Sequence, residues 1–242
     1  MAINKPYYRI YRQSLLHGDY ADATSGYDLD DLFLPGAERK SMLMSARLIL
    51  NDLELLFEYI EPHSNNVDVF SHRIYELLLR TCTEVESCCK GILTANGAPA
   101  RNMTDYFKIE QSSHLSAYSV HYLSWLPNKY VSQPFANWAS GGPLPWYQAY
   151  NGVKHNRWQS FQLASLDNLM NAISGLLCLI HAQIGDSVQE VFETNMYPVI
   201  GNPEVQVRSF TIIPPQIPDT DKYDFDWDAL KTDPNRFQKF IF

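Results

Sequence analysis

The chain lacks most of the features that would classify it at once. Among its 242 residues it has only four cysteines, Cys82, Cys88, Cys89 and Cys178, each inside an apolar periodic stretch. The adjacent pair has neither metal-ligand nor disulfide-framework spacing, so all four read as reduced core thiols. No apolar run approaches the roughly 18 residues of a membrane-spanning helix. The most apolar stretch, AISGLLCLIHAQIG at 172–185, carries a histidine and reads as a core helix. Charges and tyrosines interrupt MAINKPYYRIYRQSLLHGDY where a secretory leader needs an apolar segment, which points to a cytoplasmic protein. A Gly-rich phosphate loop, a nucleophile elbow and a CxxC pair are all missing, so an enzyme of free nucleotides has no phosphate cradle to support it. His114 and His121 lie too far apart for a HExxH-like pair, and neither a metal nor another cofactor is expected.

Acid is the other scarcity, and it is local. The net charge of −8 excludes a whole-surface attraction to polyanions. From Gln111 to Leu166, however, there is no Asp or Glu, while the same stretch carries Lys129, Lys154, Arg157, His114, His121 and His155. It also holds four of the five tryptophans, Trp125, Trp138, Trp146 and Trp158. Carboxylates repel phosphates, so a polyanion-facing surface would require such a gap.

What is present is helical periodicity. Leu43, Ala46, Leu50, Leu53, Phe57 and Ile60 share one face of a helix that stops before Pro62. Phe70, Ile74, Leu77, Thr81, Val85, Cys88 and Ile92 mark a second over about 68–95, stopped by Gly97 and Pro99. The short HSNNVD connection predicts an antiparallel hairpin. A third long helix is expected over about 158–184, preceded by a shorter one opening at Pro145. SAYSVHYLSWL reads as a short strand or irregular loop, and SQPFANWASGGPLP as a loop. VQVRSFTII reads as a strand, PPQIP as an extended linker, and DKYDFDWD alternates acid with aromatic. The expected organisation is an irregular arm over 1–40, a helical bundle core over 41–184, and an extended or β C-terminal segment over 185–242 packed on it. The class is mainly α, with three long helices plus shorter ones.

Chemistry concentrates in WYQAYNGVKHNR at 146–157. On a continuous helix Asn151, Lys154, His155 and Trp158 would share one side, flanked by Tyr150 and Arg157. An imidazole gives and takes protons near neutrality, and a neighbouring cation can hold a phosphate. The bland reading is a solvated basic face with Trp146 and Trp158 in the core, and on the residues alone the two readings weigh about equally. Glu86 and Lys90 form an ordinary i, i+4 surface pair. Glu84, at the edge of the apolar face, is the candidate to reach Lys154 or His155 and support the imidazole.

YNGVKHNR at 150–157, followed by ASLDNLMNA at 164–172, resembles the higher-eukaryote and prokaryote nucleotide-binding (HEPN) superfamily, and YELLLRTCTEVESCCKGIL at 75–93 is similar to the helix that pairs with it. The resemblance spans roughly 41–184. It implies a helical bundle that often homodimerises and, in active members, cleaves RNA without metal; many members occur in toxin–antitoxin or antiviral systems. His155 matches the family histidine and Asn151 the polar residue after its arginine. The arginine itself falls on Gln148, Ala149 or Tyr150, and Arg157 is the candidate replacement. The expected site therefore has His155, Arg157 and Lys154 as catalytic groups, Asn151, Tyr150 and Trp146 against substrate, and Glu84 in support. RNA or a nucleotide, a second copy of the chain, and a protein such as an antitoxin are the expected partners, with no membrane. The alternative is a non-catalytic protein-interaction module on the same fold.

Overall fold

The computed structural model is described for residues 3–13, 15, 36–185, 197–199, 202–207, 210–225, 227–230 and 232–242. It is mainly helical, with a small antiparallel sheet. Helix α1 spans Gly36–Phe57 and buries the expected Ala46, Leu50 and Leu53 together with Met42, Ile49 and Leu56, while the expected Leu43, Phe57 and Ile60 are half-buried at the edge of that face. It starts inside the segment read as an arm; residues 16–35 of that segment lie outside the described ones. Helix α2, His72–Ala95, begins where the Ser71 hydroxyl accepts the Ile74 N–H at 3.2 Å. It ends at Asn96 and Gly97, the latter at φ +78°, a left-handed conformation that favours glycine.

Two short helices, α3 (Met103–Tyr106) and α4 (Ile109–Ser113), lead to strand β1, Ser119–Tyr122, which pairs with β2, Tyr130–Ser132. Helix α5, Pro145–His155, has its proline in the first turn as expected. The chain then breaks at Asn156 (φ −142°, ψ 61°) before a single turn, α6, Arg157–Ser160. The last long helix, α7, runs Leu166–Ile184 and not from 158, because Ser165 is held extended against Phe70 of the α1–α2 connection. There the Leu166 N–H donates to the Val69 carbonyl at 2.8 Å and the Asp167 N–H to that of Val67 at 2.9 Å. Two donors that a helix start leaves orphaned are thereby satisfied.

Strands β3 (Tyr197–Val199) and β4 (Asn202–Val207) form a two-stranded ladder, and β5, Phe210–Ile213, adds to β1 to complete the sheet in the order β2-β1-β5. VQVRSFTII thus contributes to two strands in two different sheets, and the acid–aromatic alternation after it includes a helical turn, α8, Trp227–Leu230. Helices α2 and α7 pack along each other, α1 lies on α2, and α5 packs on both α2 and α7, while the three-stranded sheet covers α7. Trp146 of α5 fits tightly at Gly175 of α7, where a Cβ would lie 3.2 Å from its ring.

Both ends of the chain close the bundle. Ile10 is fully buried, the Tyr8 N–H donates to the Gln238 carbonyl, and Tyr223 bridges Ile3. Asn96 joins the pieces: its Nδ2 donates to the Tyr8 and Ile92 carbonyls at 2.8 Å each, and its Oδ1 accepts the Phe240 N–H at 2.8 Å. Asn96→Ala leaves buried backbone groups without partners and should lower stability by about 1–3 kcal/mol, read as a drop in the urea midpoint at unchanged slope.

Candidate functional site

Folding divides the acid-free window into an interior and a surface. Trp125, Trp138 and Trp146 are 3%, 3% and 2% exposed, whereas Trp158 is 96% exposed. The indole N–H of Trp146 donates to the Pro134 carbonyl at 2.7 Å and its ring packs on Phe135 and Tyr147. Of the two aromatics expected to contact substrate, Trp146 and Tyr150, both lie in the core, where neither offers a ring face to a ligand.

The window is free of carboxylates in sequence but not in space. The Tyr130 hydroxyl donates to Asp167 Oδ1 at 2.7 Å, the Ser116 hydroxyl to Glu110 Oε1 at 2.6 Å, and His114 Nε2 lies 3.5 Å from Asp221 Oδ2. The Tyr147 hydroxyl donates to Glu86 Oε1 at 2.9 Å. Burial first, then that bond, raises the Tyr147 pKa, so the phenol stays a donor. Acids flanking the window or lying on other elements thus engage its tyrosines, a serine and a histidine.

Glu86, not Glu84, is the α2 carboxylate that reaches α5. The expected pair with Lys90 is present at 3.5 Å through Oε2, and the other carboxylate oxygen takes Tyr147. Two residues earlier, Glu84 stands about 200° round the helix and exerts its charge on Cys88.

The basic residues stay outside. Lys154 donates to the Tyr150 hydroxyl at 2.9 Å, a bond that raises the lysine pKa. His155 is exposed at the last residue of α5, and Asn151 is half-buried one turn before it. The Lys154 ammonium, in that last turn, complements the helix dipole. The break at Asn156 takes Trp158 off the face it was expected to share with Asn151 and His155 and sets it on α6. The Arg157 guanidinium rests 5.6 Å from the centroid of Tyr75 on α2, beside Phe161 and the exposed His72. Among the described residues, neither Lys154 nor Arg157 is ion-paired, and His155 has no hydrogen-bond partner. His72, Tyr75 and Phe161 lay outside the expected site; only the i, i+3 spacing of the first two on α2 hints at them.

Four groups therefore lie on one short exposed stretch, two on each side of the break at Asn156: a lysine held by a phenol and an unpartnered imidazole before it, a stacked guanidinium and a bare indole after it. Such a surface can attract a phosphate, exchange a proton and stack a planar base. No three metal-ligating side chains gather anywhere among the described residues. No helix among them is long and apolar enough to cross a membrane. Comparison with protein-family models, curated proteins and solved structures finds no match to this chain.

Glu86→Ala removes the acceptor of a buried phenol and should cost about 1–3 kcal/mol, whereas Glu84→Ala should change stability by no more than about 0.5 kcal/mol. Urea titrations followed by circular dichroism compare the two directly; equal costs would remove Glu86 from its anchoring role.

Proposed function

We propose that this chain is a HEPN-like, homodimeric RNA-binding protein of the cytoplasm that cleaves RNA without metal, in a toxin–antitoxin or antiviral setting with a protein such as an antitoxin as its regulator. The observation that carries the reading is the exposed turn at 154–158, where Lys154, His155, Arg157 and Trp158 stand free of carboxylate partners among the described residues of an otherwise acidic protein. Local cations free of ion pairs are available to phosphate oxygens, and an uncovered tryptophan face is available to a base. The four buried free thiols accord with a reducing compartment.

In the proposed reaction His155 takes the proton from a ribose 2′-hydroxyl, the oxygen attacks the adjacent phosphorus, and the bond to the 5′-oxygen breaks as that oxygen regains a proton. Lys154 and Arg157 hold the charge that develops on the phosphoryl oxygens, and Asn151 positions the strand. Tyr150 acts indirectly by fixing the Lys154 ammonium.

One observation favours the non-catalytic alternative. The position before Asn151 is filled by a buried tyrosine, and the nearest arginine is turned onto Tyr75 across a helix break. The same fold and surface would then bind a partner without reacting.

Incubation of purified protein with RNA in EDTA should give cleavage. His155→Ala should lower its rate by about 100-fold or more with the helical circular dichroism intact. Trp158→Ala should weaken binding by about 1–3 kcal/mol, and Arg157→Ala should reduce the salt dependence of binding by roughly one phosphate contact. Cleavage that survives His155→Ala removes the assigned role. Binding without cleavage supports the inert form, and no binding at any salt leaves the protein-interaction reading.

A further inference from the structure

We infer that the outward face of α1 is the contact between two copies of this chain, packed antiparallel about a twofold axis. While one side of α1 is buried, Met44, Leu48, Leu55 and Tyr59 stand 56%, 52%, 55% and 86% exposed. The turn carries past the end of the helix through the Tyr59 N–H, which donates to the Leu56 carbonyl at 3.1 Å. At about 100° per residue Met44, Leu48 and Leu55 fall within an arc of about 40°, and Tyr59 follows in the turn after the helix, so two apolar pairs line one side of α1 on either side of Asn51 and Asp52. Stripes of large exposed apolar groups mark interaction surfaces more often than isolated ones do.

The order of residues selects the occupant. Met44 and Tyr59 have the same midpoint as Leu48 and Leu55, between Asn51 and Asp52. A twofold contact requires that if one residue meets another, the second meets the first. Centred at that midpoint, an antiparallel pair sets Leu48 against the partner's Leu55 and Met44 against the partner's Tyr59, each twice.

Charge agrees with the same register. On one flank of the stripe Arg47 lies toward the N-terminal end and Glu54 and Glu58 toward the C-terminal end, none of them ion-paired among the described residues. Antiparallel packing places Arg47 between the partner's Glu54 and the partner's Glu58. A parallel twofold pairing would set this flank against the partner's opposite flank and so break these Arg47–glutamate pairs. Burial already holds the Glu54 carboxyl above its ordinary pKa, so a cation brought beside it gains an incompletely solvated acceptor.

Shape agrees as well. A groove of about 440 Å³ runs between α1 and α2, lined by Asp52, Leu55, Leu56, Tyr59, Leu77 and Arg80 among others. In this register the partner's Met44 arrives beside its Leu55 and Tyr59 side, where an unbranched thioether suits an irregular gap, while Arg73, Glu76 and Arg80 line the rest. The contact supplies the homodimer proposed above without resting on RNA chemistry: His155→Ala should leave it unchanged.

Sedimentation of the whole chain over a concentration series should show a dimer. Arg47→Glu or Leu55→Asp should raise the dissociation constant roughly tenfold or more, and Arg47→Glu combined with Glu54→Arg and Glu58→Arg should restore it. A second readout needs no disruptive variant. Chains carrying Leu48→Cys mixed with chains carrying Leu55→Cys should form a disulfide-linked dimer on oxidation, and neither should do so alone. The four native thiols are buried and do not compete. A monomer at every concentration overturns the inference, as does a dimer indifferent to Arg47→Glu, or a crosslink in either cysteine variant alone.

Discussion

The donation of the first two α7 N–H groups to the carbonyls of Val69 and Val67 governs the layout of the whole helical layer. Those bonds tie the start of α7 to the α1–α2 connection, across about a hundred residues of sequence. Backbone donors at a helix start must be satisfied when water is excluded, and here the partners are fixed carbonyls of another element. With the start of α7 pinned, the residues from Asn156 to Leu163 cannot continue either neighbouring helix. They become one turn of α6 and a tight 3-10 turn, and they carry Arg157 and Trp158 to the surface.

The same pinning sorts the charges. Asp167 lies in the first turn of α7, where the helix dipole favours an anion, and its carboxylate takes the Tyr130 hydroxyl at 2.7 Å. Glu86 is drawn in by Tyr147. Asp167, Glu86, Glu110 and Asp221 are thus engaged by phenols, a hydroxyl or a histidine, and among the described residues the cations at 154 and 157 have no ion pair. An acidic protein can in this way present a small surface of the opposite sign.

The long helices were legible because their information is local and redundant. In α7 Leu166, Leu169, Ile173, Leu176, Ile180 and Ile184 stand at helical spacing by themselves, and the same spacing shows in α1 and α2. The break at Asn156 was not legible, since its cause is the long-range pairing of Ser165 with Phe70. Nor was the choice of Glu86 over Glu84, which depends on the azimuth at which α5 crosses α2. Composition misled most with the aromatics. An acid-free stretch rich in tryptophan suits either a stacking surface or a core, and three of the four indoles serve the core. What lets Trp158 be told apart is position relative to the break, a property of the fold alone.

Asn96 gives the bundle's closed end a consequence for synthesis. It binds the Tyr8 carbonyl on one side and the Phe240 N–H on the other, and Gln238 donates to the Lys5 carbonyl at 2.7 Å. Lys5 is therefore held by a residue made more than two hundred positions later. While the ribosome is still extending the chain, α1 and α2 can pair, but the segment around Tyr8 and the C-cap of α2 must wait for Phe240 and Gln238. The molecule passes through a stage in which its helices are assembled and its lid is missing, and that stage is when it most needs protection from aggregation.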